Sequence, residues 1–444
     1  MKTKSRPQTI GIVSLGCAKN LIDSELLQKQ LDASKLKISF DPSSIKGLDT
    51  MVINTCGFIG DAKQESIDAI LQYTRAKSEG KLKHVFVMGC LAERYREQLK
   101  KDIPEVDAFY GVNELKKIVN DLGGHYNRNL LGERMISTPS HYAYLKIAEG
   151  CDRKCSFCAI PGIRGNHVSR PSAEIIKEAE GLISSGVKEI IVISQDTTFY
   201  GLDIYKRRRI GRLLGQLAEI DKNVWIRLHY AYPHGFPRDL TSVISNHSNI
   251  CKYIDIPLQH INNRILKSMK RGLSSDKTRE LIQTLRKEIP GVTLRSSFIA
   301  GYPGETAKEF DELLDFVRET EFERLGVFTY SHEEDTPAYL LCDTISRKAK
   351  QERADQIMAI QEQISLKKNT AMIGRELKVI VDGIEGDYYI ARSEGDSPEI
   401  DNEVLIPVAG NNLIPGTFSE VTVTSAENFD LFATPSGHLV KSSN

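Results

Sequence analysis

Three cysteines in a C-x3-C-x2-C spacing stand in the run Glu149-Gly150-Cys151-Asp152-Arg153-Lys154-Cys155-Ser156-Phe157-Cys158. Thiolates this close together are soft ligands for one metal centre, and an iron–sulfur cluster suits them. No fourth ligand is near in sequence, which argues against a closed structural zinc site. A cubane held by Cys151, Cys155 and Cys158 leaves one iron open to an outside ligand. The run follows the apolar stretch 144–148, so it reads as a loop at the end of a strand.

A second set of three cysteines is scattered in sequence but regular in context. Short Val/Ile-rich runs at 9–15, 50–54 and 84–88 alternate with helical-period stretches at 21–31, 62–76 and 94–100. That alternation predicts βαβ units around a parallel sheet. Each run ends in a cysteine beside a glycine: Gly16-Cys17, Cys56-Gly57 and Gly89-Cys90. Parallel strands share one direction, so the three thiols should emerge together at the carboxyl edge, where open α/β sheets bind ligands. A lone cysteine there would be read as packing. Three at equivalent strand ends predict a second cluster on Cys17, Cys56 and Cys90, again with one open iron.

The elements that must hold the first set come next. Candidate strands at 144–148, 189–194, 224–229, 253–257, 293–300 and 325–330 alternate with amphipathic stretches at 172–185, 275–288 and 306–320. Six such units predict an open, partial (β/α) barrel with its site at the carboxyl ends of the strands. Polar residues near those ends are Gln195-Asp196, Arg227, His229, Gln259-His260 and the turn Gly301-Tyr302-Pro303-Gly304-Glu305. His229 and His260, taken singly, read as structural. Residues 346–369 form one long polar helical stretch. After Gly374 the pattern shifts to short alternating runs at 377–381, 388–392, 404–406 and 419–423, which predicts a small antiparallel β-barrel.

The fold class expected is therefore α/β in three domains. These are an amino-terminal parallel α/β cluster domain (1–135), a six-unit partial barrel (136–373) and a carboxyl-terminal β-barrel (374–444). The chain has 444 residues, is 40% hydrophobic and 27% charged, and carries no net charge. No apolar run approaches the roughly 20 residues of a membrane span. Eight cysteines without an export signal point to a reducing compartment and a cytoplasmic address. Residues 375–444 hold four Lys/Arg and twelve Asp/Glu, a net of −8, which balances +8 on residues 1–374. So acidic a barrel repels phosphate and favours a basic protein partner.

The motifs together resemble the methylthiotransferases of the radical S-adenosylmethionine (SAM) superfamily, over nearly the full length. The likeness rests on Gly16-Cys17-Ala18-Lys19-Asn20 with Asp23-Ser24-Glu25, Asn54-Thr55-Cys56-Gly57-Phe58, Gly89-Cys90-Leu91 and the run from Glu149 to Cys158. It continues through Ile160-Pro161, Arg164-Gly165, Ser169-Arg170 and the stretches 253–260, 298–305 and 330–338. The last 70 residues would be the family's TRAM barrel. One branch of the family modifies a hypermodified adenosine of tRNA. The other, the RimO type, modifies an aspartate of the small-subunit ribosomal protein numbered twelve. Gly16–Asn20 and Ser194-Gln195-Asp196 with Tyr200-Gly201-Leu202-Asp203 resemble the second branch, and the acidic barrel favours it independently; tRNA remains the alternative.

The resemblance implies two [4Fe–4S] clusters with two tasks. The cluster on Cys151, Cys155 and Cys158 would bind SAM and yield a 5′-deoxyadenosyl radical, which removes hydrogen from the aspartate β-carbon. The cluster on Cys17, Cys56 and Cys90 would hold a sulfur that a second SAM methylates before transfer. By the same likeness Phe157 would border the adenine, with Gly301 and Glu305 beside the nucleoside and Arg170, Gln195, Arg227 and Gln259 as further SAM contacts. The partners implied are a basic ribosomal protein, free or in the small subunit, an electron donor such as a flavodoxin, and a sulfur donor that the sequence leaves open. A monomer with no membrane partner is expected.

Overall fold

The computed structural model describes residues 9–130 and 132–436, which fall into two compact units. The first unit runs to Thr138 and adds Glu149–Arg170 and Ser331–Tyr339. The second holds Pro139–Ala148, Pro171–Tyr330 and the chain from Leu340 onward.

In the first unit the three expected strands are β1 (Thr9–Ser14), β3 (Thr50–Thr55) and β4 (His84–Gly89). They lie side by side in a parallel sheet of order β2-β1-β3-β4-β5. Its flanking strands, β2 (Lys37–Phe40) and β5 (Ala108–Tyr110), escape the sequence pattern because they are four and three residues long. Helices α1 (Ala18–Ala33), α2 (Gly60–Ser78), α3 (Cys90–Asp102) and α4 (Leu115–Asp121) cover the two faces. The strand alternation sorts the core. Met51, Ile53, Val85 and Val87 pack on one side with Ile70 and Leu91, whereas Ile10, Ile12 and Val52 pack on the other with Leu27, Leu31 and Ile118. The short helix α5 (Ile160–Arg164) also belongs to this unit.

The second unit is built on a six-stranded sheet. Two two-residue strands, β7 (Ala148–Glu149) and β8 (Val168–Ser169), lie outside that sheet. Its members are β6 (Tyr142–Lys146), β9 (Glu189–Ile193), β10 (Trp225–Leu228), β11 (Ile250–Asp255), β12 (Thr293–Ala300) and β13 (Arg324–Thr329). Their spatial order is β13-β12-β11-β10-β9-β6, and the registered neighbours are all parallel. This is the expected partial barrel, with sequence order kept across the sheet. The helix Ala307–Thr320 begins with a reciprocal capping box between Thr306 and Glu309, which fixes the end of the preceding turn.

The chain then leaves through a 24-residue helix, Arg347–Thr370, and closes a five-stranded barrel of order β14-β15-β16-β18-β17. Its strands are β14 (Glu376–Glu385), β15 (Tyr388–Ser393), β16 (Val404–Pro407), β17 (Phe418–Ala426) and β18 (Leu431–Pro435). This barrel and the six-stranded sheet form one compact unit, and buried charge explains why. Glu189 at the start of β9 bonds Arg227 at 2.6 Å and Arg392 of the barrel at 2.8 Å. Arg392 also pairs with Asp382 at 2.6 Å, and Asp382 with His141 at 2.7 Å. Asp401 accepts from Arg295 at 3.2 Å and from the Tyr253 hydroxyl at 2.7 Å. Asp396 pairs with Arg324. Trp225 packs edge-on against Phe418 with ring centres 4.8 Å apart.

Most of these sheet residues lie toward the entering ends of the strands, so the small barrel packs against that end. The segment 393–402 reaches inward as far as His229, whose Nε2 lies 2.9 Å from Ser397 Oγ. The charge reading of the sequence is sharpened accordingly. Asp382, Glu394, Asp396, Glu399 and Asp401 bond to groups of the sheet, so the net charge over 375–444 overstates what this barrel offers a partner. Glu385, Glu403, Glu420 and Glu427 remain exposed.

Candidate functional site: two cysteine triads

The first triad sits where the strand pattern places it. Cys17 is the residue before α1, Cys56 directly follows β3, and Cys90 opens α3 directly after β4. Two of the three thiols thus stand at helix amino ends, where the backbone dipole favours an anionic sulfur. The thiols are electrostatic neighbours: Cys17 acts on both Cys56 and Cys90, and Cys56 acts on Cys90. Burial pushes the Cys90 thiol up to about 12 and raises that of Cys56 as well, while Arg164 opposes both shifts. Buried thiols of this kind hold their protons until a metal displaces them.

The glycines beside them are sterically required. A Cβ on Gly89, whose φ is +101°, would fall 2.3 Å from Asn54 Oδ1 and 2.6 Å from the Thr55 carbonyl. One on Gly57 would fall 2.7 Å from the backbone of Leu91, and one on Gly16 2.7 Å from Cys56 Cβ. The three cysteine turns therefore pack backbone to backbone, as a shared inorganic ligand needs.

Residues quoted above only as motif turn out to hold this edge together. Asn20 donates to the carbonyls of Leu15 and Thr55, both at 3.0 Å, and so clamps the β1 turn to the β3 turn. Asn54 donates to the Asn20 carbonyl at 2.7 Å and to Ser24 Oγ at 2.9 Å. The Ser66 hydroxyl and the Cys56 backbone exchange two hydrogen bonds at 3.0 Å. Glu25 accepts from Arg134 at 2.5 Å and from Ser137, fixing the segment that leaves the sheet. Glu333, 3% exposed, pairs with Lys63 of α2 at 2.7 Å and Arg94 of α3 at 2.8 Å. Arg94 in turn donates to the Gly57 carbonyl at 3.1 Å.

The second triad lies in an irregular loop held by its own backbone. The Cys151 N–H donates to the Gly165 carbonyl at 3.0 Å, the Cys158 N–H to the Cys155 carbonyl at 3.2 Å, and the Arg153 N–H to Cys151 Sγ at 3.4 Å. Amide donors to sulfur are the usual surroundings of cluster thiolates. Gly150, at φ +76°, has the Asn166 carbonyl 2.0 Å from where a Cβ would sit. Cys151 and Cys155 are buried and Cys158 half-buried. Among the described residues no three His, Cys, Asp or Glu side chains are gathered for a single metal ion. The triads are assigned as cluster ligands instead on strand-end position, spacing and the glycine cradles.

The remaining expected SAM contacts are placed as follows. Phe157 and Arg170 are half-buried in the first unit, and Gln195 is half-buried two residues beyond β9. Gln259 has a φ of +75°, unusual for a side chain, while its backbone pairs with Ser297 and Ile299. Glu305 accepts from the N–H groups of Gly301 and Tyr302 at 2.7 and 3.0 Å and faces Arg353 at 3.0 Å. Burial raises its carboxyl, against the pull of Arg353. Gly301 lies against Lys350, whose Cγ would be 2.4 Å from a Cβ there. Arg227 is a correction. Its guanidinium is fully buried, bonded to Glu189 and to the carbonyls of Glu394 and Ser393, and stacked 4.8 Å over Tyr253. It locks the small barrel to the sheet. An arginine on a barrel strand looks alike in sequence whether it points to the mouth or to the floor.

Three family models match the chain: the radical SAM superfamily over residues 145–317, the uncharacterized protein family UPF0004 over 9–111, and the TRAM domain over 373–435. A protein of Cytophaga hutchinsonii named ribosomal protein uS12 methylthiotransferase RimO is 50% identical, covering 99% of this chain and all of its own. Proteins of the same name from Flavobacterium johnsoniae and Bacteroides thetaiotaomicron are 49% and 51% identical, over 98% and 96% of this chain and 100% and 97% of their own. The chain belongs to the RimO family of radical SAM methylthiotransferases. SAM and [4Fe–4S] clusters are accordingly its cofactors.

Among solved structures, the radical SAM methyltransferase TsrM of Kitasatospora setae matches with a TM-score of 0.54 at 14% identity, covering 75% of this chain and 77% of its own. The radical SAM enzyme OxsB matches with a TM-score of 0.51 at 14% identity, over 81% of this chain and 56% of its own. These likenesses concern the fold. Within the RimO family frame, the residues left without a role by the sequence are Asn20, Asp23 and Arg164. Their signal was polarity beside cysteine turns, which has no period to detect.

Proposed function

We propose that this protein methylthiolates the β-carbon of an aspartate in ribosomal protein uS12, using Cys151, Cys155 and Cys158 for the SAM-binding cluster and Cys17, Cys56 and Cys90 for the sulfur-bearing one. The observation that carries this is the joint presence of both triads in a chain about half identical, end to end, to relatives named for that reaction. When bound, the clusters and SAM supply a carbon radical and a methylated sulfur, which no acid, base or nucleophile of the protein could provide. The chain's own part is to hold, orient and exclude. Asn20, Asn54 and Ser66 fix the three turns of the first triad, and the Gly165 and Cys155 carbonyls fix the loop of the second.

For SAM itself we retain Phe157, Arg170, Gln195 and Gln259 as contacts. Gly301 and Glu305 shape the turn on the nucleoside side, and Arg227 is withdrawn. The substrate is a basic protein, for which the exposed Glu385, Glu403, Glu420 and Glu427 of the small barrel provide complementary charge. The cytoplasm is where such a substrate is met. No helix among the described residues is long and apolar enough to cross a membrane.

The division of labour is tested with anaerobically reconstituted variants. Cys155→Ala should abolish 5′-deoxyadenosine formation, whereas Cys56→Ala should retain it yet yield no methylthiolated uS12. Loss of SAM cleavage in both variants would overturn the assignment of one task to each triad.

A further inference from the structure

Arg164 ends α5, six residues beyond Cys158, and its side chain is only 2% exposed. One guanidinium nitrogen donates to Asp23 Oδ2 at 3.1 Å and to Glu149 Oε2 at 3.0 Å. The other donates to Asn20 Oδ1 at 2.6 Å and to Asp23 Oδ2 at 3.1 Å. Asn20 Oδ1 is also the acceptor 3.5 Å from Cys90 Sγ. Arg164 also acts electrostatically on Cys90, Cys17 and Cys56. Asp23 and Asn20 lie on the helix that Cys17 begins, whereas Glu149 and Arg164 flank the second triad on either side in sequence. One buried cation thus touches the frames of both cysteine sets.

A buried ion pair is seldom the most stable way to join two segments, since desolvation offsets most of its attraction. Here the cation sits where negative charge collects once three thiolates bind iron. We propose that Arg164 is a positioning residue for sulfur transfer, holding the Cys90 side of the first cluster against the loop of the second and favouring electron arrival at the first cluster by its charge. The proposal rests on the two-cluster reading above. One-electron reduction adds one negative charge to the cluster, and a buried cation one hydrogen-bonded group away from a ligand sulfur stabilises that reduced form with little screening by salt. Asp23 acts in the opposite sense.

The test uses full-length Cys155→Ala protein, in which only the first cluster remains. Its midpoint potential is measured by redox titration followed by electron paramagnetic resonance, alone and with Arg164→Gln, Arg164→Lys or Asp23→Asn added. The proposal expects a negative shift for Arg164→Gln, a midpoint close to the parent for Arg164→Lys, and a positive shift for Asp23→Asn. A role in stability alone lowers iron loading but leaves the midpoint of the loaded fraction in place, and that result overturns the proposal. If Arg164→Gln does not load, the Lys and Asn variants decide: a negative shift for Asp23→Asn, or no shift for it, overturns it too. Failure of the Cys155→Ala parent to bind any iron would instead strike the two-cluster reading.

Discussion

Arg227→Met separates the two roles that an arginine on a barrel strand can have. The side chain it removes makes a 2.6 Å bond to Glu189 and bonds of 2.8 and 3.4 Å to the carbonyls of Glu394 and Ser393. Methionine fills much of the volume but offers no donor. Glu189 keeps Arg392 at 2.8 Å, so it is not stranded, yet the two carbonyls are left buried without that donor. Breaking one side of a buried pair costs about 3–5 kcal/mol, and two weakened carbonyl acceptors fall within that figure rather than adding to it.

The protein provides its own probe. Trp225 is the sole tryptophan and packs on Phe418 of the small barrel, so its fluorescence follows this interface. With a urea dependence near 3 kcal/mol per molar, the midpoint should fall by about 1–1.7 M. Affinity of the reconstituted protein for SAM, measured by equilibrium dialysis, should stay within about twofold, a change of under 0.5 kcal/mol. An unchanged urea midpoint together with a tenfold loss of SAM affinity would refute the structural role and restore Arg227 to the cofactor site.

Two further outcomes follow from the same geometry. Burial holds the His260 imidazole down near about 3, with Glu309 opposing the shift and Arg264 and Arg353 adding to it. The unfolded chain therefore takes up a proton near pH 6.5, well before the folded one does. The stability linked to His260 is present above that pH and is lost as pH falls, by about 2 kcal/mol at pH 5. At the same urea dependence, the drop in midpoint between pH 7 and pH 5 should be smaller in His260→Gln by about 0.6–0.7 M, and equal drops in both proteins would contradict it. Gly89→Ala forces a methyl group against Asn54 and Thr55 at a φ of +101°. It should displace Cys90 and remove roughly half the bound iron while 5′-deoxyadenosine still forms. Full iron content in that variant would show that the turn adapts.

Much of the architecture is legible in the sequence because burial imprints a period. β9 is buried at every position and after Glu189 reads as an unbroken apolar run, and the helix Ser275–Glu288 shows its amphipathic face directly. β2 and β5 escape because short flanking strands carry too few residues to display alternation. The cysteine positions are legible because three equivalent strand ends repeat one chemical choice. What the sequence hides is direction. Arg227 and Gln195 both lie on or just beyond barrel strands, yet only the structure shows the former turned to the floor. The acidic barrel shows the same limit. Its composition counts Asp382, Asp396 and Asp401 as surface charge, whereas Asp396 and Asp401 each neutralise an arginine of the sheet and Asp382 is tied to Arg392 and His141.

The central claim is the reaction and its substrate, and mass spectrometry of uS12 from cells lacking the gene addresses it most directly, with digested tRNA from the same cells alongside. The account predicts that the methylthio group disappears from the uS12 aspartate, returns with the wild-type gene and fails to return with Cys56→Ala or Cys155→Ala, while tRNA is unchanged. A uS12 that keeps its methylthio group while tRNA loses one would contradict it.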